Sequence, residues 1–200
     1  MKDILAYHVI FGCYGFWLPN DPRGSGSSDV RSKPLQKFGP PTKVETSHSV
    51  AHEPHDRTLR LTAKQSLKYP PVKLTGMQAL TISQGFSHQI KTSTIAIWAC
   101  AILPDHVHLV IREHSCDIEQ VVRLLKQSAT RMLLERNLHP FADRRLSSGR
   151  LPSVWQQDFR KVFLYSADDI RARVVYVESN PVEAGLKLQK WSFVIPFNDI

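Results

Sequence analysis

The sequence predicts an α+β fold of the ferredoxin-like, split βαβ type: an antiparallel sheet backed by helices, with a further C-terminal helix free to supply chemistry. Three observations carry this expectation. Apolar residues alternate with period two or recur with period 3.6 in the order strand, helix, strand, strand, helix, strand, helix. The length, 200 residues, suffices for one sizeable core and is short for two. Between residues 17 and 73 neither period persists, so the chain reads as one domain, 1–200, with 17–73 as a long insertion after the first strand.

Ala6 to Phe16 is rich in β-branched and aromatic residues, with Tyr7, Val9, Phe11 and Cys13 alternating against His8, Ile10 and Gly12, which marks a core strand. In the insertion, Pro19-Asn20-Asp21-Pro22-Arg23-Gly24 is turn chemistry, and Pro40-Pro41 and Pro70-Pro71 punctuate the remainder. Thr62 to Tyr69 reads as a short helix with Lys64 and Lys68 on one side. His48, His52 and His55 are not read as a metal cluster, because helical spacing is needed to join them and Pro54 opposes a helix there. Thr75 to Lys91 is a helix: Thr75 and Gln78 form a capping box, and Ala79, Ile82, Phe86 and Ile90 share a face that covers the sheet.

Ile97 to Arg112 consists of two apolar β-type runs separated by Pro104-Asp105, a tight-turn pair, and is predicted to be a hairpin. Alternation puts His106 and His108 on one face with Val110, and Val107, Leu109 and Ile111 on the other. Paired imidazoles on a rigid strand suit a divalent metal and leave coordination positions open for substrate. A chain with nine histidines also yields His-x-His by chance, commonly on a solvated strand face.

Asp117 to Arg136 is the clearest helix, with a cap from Asp117 to Gln120 and an apolar stripe of Ile118, Val121, Val122, Leu125, Ala129, Met132 and Leu133. Its opposite face, with Arg123, Lys126, Gln127, Thr130 and Arg131, reads equally as a solvated face or as a phosphate-contact surface. A loop from His139 to Pro152 leads to a fourth strand at Phe159–Tyr165, which contains Arg160 and Lys161. Ser166 and Asp169 then cap a last helix running to about Ser179, where Pro181 is expected to end it. Ile170, Val174 and Val177 form its apolar side, whereas Arg173, Tyr176 and Asn180 fall together on another. A helical tyrosine commonly packs at the helix edge with its hydroxyl in water, but one facing away from the apolar stripe is available for chemistry. Asn180, one turn on, can lend an amide oxygen to a hard cation.

A formal net charge of +8 favours an anionic partner, nucleic acid first. Three cysteines, Cys13, Cys100 and Cys116, lack ligand spacing and indicate neither a disulfide framework nor a zinc knuckle, which fits a cytoplasmic protein. No signal peptide and no membrane-spanning apolar run is expected. The candidate phosphate-contact residues are Arg23, Arg31, Lys126, Arg131, Arg160, Lys161 and Arg173.

Ile102-Leu103-Pro104-Asp105-His106-Val107-His108-Leu109, followed by Tyr176-Val177-Glu178-Ser179-Asn180-Pro181, resembles the single-tyrosine HUH transposases, and most closely the REP-associated tyrosine transposases. Tyr7-His8-Val9-Ile10-Phe11, Leu125-Lys126 with Thr130-Arg131, and Trp155-Gln156 extend the resemblance over the chain except the insertion. The resemblance implies that His106 and His108 are metal ligands, that Tyr176 is the nucleophile, and that Asn180 is the polar metal ligand one turn after it. It further implies Mg²⁺ or Mn²⁺ as cofactor, single-stranded or hairpin DNA as substrate, a 5′-phosphotyrosine intermediate, and a monomer or homodimer. Two rival readings are a non-catalytic nucleic-acid-binding module and a phosphodiesterase that uses water as nucleophile.

Overall fold

The computed structural model of the protein describes residues 3–21, 24, 27–41 and 55–198. Its strands are β1 (Ala6–Gly12), β2 (Ile97–Ile102), β3 (His106–Arg112) and β4 (Arg160–Leu164), and its helices are α1 (Lys33–Gln36), α2 (Arg57–Gln65), α3 (Gly76–Ser93), α4 (Ile118–Glu135) and α5 (Ala167–Glu183). The strands form one antiparallel sheet in the spatial order β2-β3-β1-β4. The order of elements and of strands is the split βαβ plan, with α5 as the extra helix and α1 and α2 inside the insertion. Among the described residues no helix is long and apolar enough to cross a membrane.

Alternation sorts the strand side chains onto two faces. Val9, Phe11, Val107, Leu109 and Ile111 meet Ile82 and Phe86 of α3 and Val121, Val122, Leu125 and Ala129 of α4 in the main core. Gly85 lets the two helices approach, since a Cβ there would lie 2.7 Å from the Ala129 Cα; Ser128 Oγ also donates to the Gly85 carbonyl at 2.8 Å. On the other face Ala6, Trp98, Ala99, Ala101, Val110 and Leu164 meet Ile170 and Val177 of α5. Leu18, Leu35, Phe38 and Ala63 give the insertion a small cluster of its own. After α5 the chain returns along the outer edge of β2, where the Gln189 amide accepts from Ile102 N at 2.8 Å and donates to Ile102 O at 2.9 Å.

The Thr75–Gln78 capping box forms with both reciprocal bonds, and Ser166 Oγ accepts from Asp169 N as expected. Four local expectations are corrected. β1 ends at Gly12 rather than Phe16, because Cys13 N turns to the Asp105 carbonyl and Phe16 N folds back to Cys13 O. The insertion helix is Arg57–Gln65 rather than 62–69, since the Asp56 carboxylate accepts from Leu59 N and caps it earlier. Asp117 precedes α4 but makes no side-chain cap bond. Pro181 lies inside α5, two residues before its end. The stop signal is instead Gly185 at φ 74°, with Leu186 N bonding Pro181 O and Gly185 N bonding Val182 O, a left-handed closure that satisfies the last carbonyls. Arg23, His48 and His52 lie outside the described residues.

Candidate active site

The register of β1 on β3 pairs Gly12 with His106, Ile10 with His108 and His8 with Val110. Residues opposite one another point to the same face, so His8, His106 and His108 all lie on the face that α5 covers. His8 is 2% and His108 3% exposed, and their rings lie 5.2 Å apart at 15°, with His8 Nε2 3.0 Å from His108 Nδ1. The His106 ring stands 4.9 Å from that of His108 at 66°. α5 brings Tyr176 over this cluster: its ring centroid is 5.8 Å from His8 and 5.8 Å from His108, nearly perpendicular to both. The tyrosine is 36% exposed, and its ring lies against histidines of the same chain.

His106 is held from two sides. The Phe16 ring stacks on it at 4.4 Å and 20°, and Asp105 Oδ1 lies 2.7 Å from its Nδ1. Asp105 is also paired with Lys73 at the far end of the insertion. Burial opposes the charge on Asp105, but the hydrogen bonds from His106 and Lys73 outweigh it and hold the carboxyl well below the usual carboxylate range. An ionised carboxylate only accepts, so Nδ1 of His106 carries a proton in this bond, and Nε2 is the ring nitrogen left for another partner. Both ends of the insertion therefore meet at His106. Gln156 ties the first end down, accepting from Trp17 N at 3.2 Å and donating to Trp17 O at 2.7 Å.

Burial pushes His8 and His108 well below the usual histidine range, and the positive charges of Arg173 and Arg160 act in the same direction. Both are neutral imidazoles at pH 7, the form in which histidine binds metal. The donor chemistry suits a divalent ion: two imidazoles of neighbouring strand positions with Nδ1 engaged, while Asn180 lies one turn after Tyr176 on α5. Asn180 Nδ2 donates to Tyr176 O at 2.6 Å, which engages its amide nitrogen and leaves Oδ1 outside that bond. Among the described residues no three His, Cys, Asp or Glu side chains form a metal site by themselves.

The basic residues divide between the two faces. Arg160 is buried opposite Ile10 on the α5 face, where burial and the neighbouring Arg173 oppose its charge, and the Arg173 guanidinium lies 5.4 Å from the Tyr176 ring centroid. Lys126, Arg131 and Lys161 line a groove of about 1510 Å³ between α4 and β4 on the opposite face, with Phe159, Phe163 and Tyr165. Lys126 donates to the carbonyls of Gln156 and Gln157 at 2.9 and 3.3 Å, and burial pushes it down to about 8. Lys161 pairs with Glu119, and Arg31, on the insertion, with Asp158. His8, Asp105 and Phe16 were not singled out as site residues from the sequence. The signal that points to His8 is strand alternation combined with the split βαβ strand order, which sets the first strand beside the third.

The sequence model of IS200-like transposases matches residues 67–180, more than half of the chain. The chain belongs to the IS200-like transposase family. The matched segment of this transposase contains His106, His108, Tyr176 and Asn180, and leaves out Phe16 as well as β1 with its His8. Among solved structures, a REP-associated tyrosine transposase bound to a REP hairpin is 14% identical, with a TM-score of 0.49 over 94% of this chain and 73% of that one. A candidate transposase from Deinococcus radiodurans R1 is 13% identical, with a TM-score of 0.43 over 90% of this chain and 92% of that one. No curated protein sequence matches the chain.

Proposed function

We propose that the protein is a single-tyrosine transposase of the REP-associated type, which cleaves and rejoins single-stranded, hairpin-associated DNA through a 5′-phosphotyrosine intermediate. The observation that carries this reading is the position of Tyr176, partly exposed and with its ring against His8 and His108. A Mg²⁺ or Mn²⁺ ion held by His106, His108 and Asn180 would supply Lewis-acid polarisation of the scissile phosphate. Tyr176 Oη attacks phosphorus and loses its proton; the Oη–P bond forms as the P–O3′ bond breaks, and the 3′ oxygen leaves as a hydroxyl. A second 3′-hydroxyl reverses these steps and joins a new strand, so no nucleotide cofactor is required. Arg160 and Arg173, on the same face, offer positive charge to the non-bridging oxygens.

The groove between α4 and β4 suits the flanking DNA: Arg131 and Lys161 match its phosphates, and Phe163 and Tyr165, which stack at 6.3 Å, offer ring faces to unpaired bases. Arg31 extends the basic surface onto the insertion, and Arg23 is assigned there from the sequence alone. A cytoplasmic location and a monomeric or homodimeric state complete the proposal. Its test is the metal requirement. Cleavage of a labelled hairpin oligonucleotide should need Mg²⁺ or Mn²⁺ and should be lost in His106→Ala and His108→Ala, while both variants retain salt-sensitive DNA binding. Equal cleavage by wild type and the double variant at matched metal would remove the metal assignment. Binding without any cleavage under all conditions would favour a non-catalytic DNA-binding module.

A further inference from the structure

The two histidines of β3 are supported differently. His106 has the Asp105 carboxylate behind its Nδ1, whereas the Nδ1 of His108, a residue buried between the sheet and α5, has the Nε2 of His8 at 3.0 Å. That group lies outside the segment the family model matches, on a strand 100 positions away in sequence. His8 Nδ1 is itself buried and without a hydrogen-bond partner. A buried imidazole with an unsatisfied nitrogen is unfavourable for folding, and its retention calls for a reason outside stability.

Proton counting supplies one. Two neutral imidazoles carry one N–H each, and only one N–H can occupy the His8–His108 bond. If His8 donates, the His108 proton must sit on Nε2, and the lone pair needed for a metal is gone. If His108 donates from Nδ1, its Nε2 is bare, and the His8 proton sits on the buried Nδ1. We propose that His8 is a positioning residue, which accepts the Nδ1–H of His108 and so keeps the Nε2 lone pair of His108 turned toward the metal site. The inference rests on the metal reading above and deepens it: β1, which carries no ligand, sets the tautomer of a ligand on β3. It is the neutral counterpart of the Asp105–His106 pair, and the nearly parallel rings fix the His108 plane as well as its proton.

The experiment is a calorimetric titration of the metal-free full-length chain with Mn²⁺, for wild type, His8→Phe and His8→Gln, paired with nitrogen-15 chemical shifts of the His108 ring in the Mg²⁺-loaded wild type. His8→Phe keeps the ring but cannot accept, and should weaken Mn²⁺ binding by about 10–100-fold. His8→Gln, whose amide oxygen can accept the same N–H, should recover most of that loss. The shifts should show His108 protonated on Nδ1. Unchanged Mn²⁺ affinity in His8→Phe overturns the role of His8 alone. A wild type that binds no Mn²⁺, or a His108 proton on Nε2 in the loaded protein, overturns this role together with the metal reading. If His8→Phe does not fold, the wild-type shifts and the glutamine variant still decide.

Discussion

On the face of the sheet covered by α3 and α4, β1 and β3 contribute Val9, Phe11, Val107, Leu109 and Ile111, each fully buried; on the face covered by α5 the same strands contribute Ala6, His8, His106, His108 and Val110. One alternating pattern thus builds two unlike surfaces. The first is apolar throughout and closed by two helices whose backbones touch at Gly85 and Ala129. The second is apolar only under Ile170 and Val177, and beyond them it turns polar, with His8, His108, Arg160 and Arg173 around Tyr176 and His106 beside His108. Stability is concentrated on one side and buried polar chemistry on the other, so substitutions on the two faces should separate folding from function.

The largest effect should come from the closed face. Phe11→Ala empties a site packed by Phe86 and Trp155 and should cost about 3–5 kcal/mol in a urea unfolding series. A cost under 1 kcal/mol would show that this face is not the main store of stability. Gly85→Ala should be smaller but still clear, about 1–3 kcal/mol, because the added carbon meets α4 backbone, which cannot move aside as a flexible side chain would. A neutral outcome would mean that the helices can separate freely.

On the open face the expected effect moves from folding to ligand binding. Asp105→Asn removes the charge that His106 and Lys73 share, and should weaken Mn²⁺ binding by about 10–100-fold while the melting temperature changes little, since the Lys73 partner is exposed. A large drop in melting temperature with unchanged Mn²⁺ affinity would make Asp105 a structural residue instead. The smallest effect is on pH dependence. His8 and His108 have depressed values in the folded chain, so the stability they permit is fully present above the unfolded value near 6.5 and is lost as pH falls below it. Each can add up to about 1.4 kcal/mol per pH unit to the fall, so metal-free wild type should lose stability between pH 6.5 and 5 more steeply than His8→Phe. Parallel profiles would contradict the assignment of buried neutral imidazoles.

The closed face was the legible one. Its residues announce themselves by period, as with Ile82, Phe86, Val121, Val122 and Leu125, and the Thr75 and Ser166 caps are local signals that the backbone obeys. The helix ends were less legible. Pro181 looked like a terminator, yet a proline near the end of a helix removes only one bond, and closure at Gly185 decides where α5 stops. On the open face, the adjacency of His106 and His108 and the company of Tyr176 with Arg173 and Asn180 were readable from spacing. What joins the two groups was not. His8 meets His108 only through strand register, and Asp105 meets Lys73 only because the insertion closes on the hairpin turn. Contacts of that range leave no local period, and a single histidine in a strand carries no mark of its partner.

The central claim is that Tyr176 is the nucleophile, and one oxygen atom tests it. Wild type and Tyr176→Phe, matched for folding and for Mn²⁺ and hairpin-DNA affinity, would be incubated with a labelled single-stranded hairpin substrate and resolved under denaturing conditions. Helix packing rests on Ile170 and Val177, so loss of the hydroxyl leaves the fold intact. The wild type should give a protein–DNA adduct linked through a 5′ phosphate together with a released strand bearing a 3′-hydroxyl, and Tyr176→Phe should give neither. An adduct that persists in Tyr176→Phe would assign the nucleophile to another residue, and strand cleavage without any adduct would assign it to water and contradict the account.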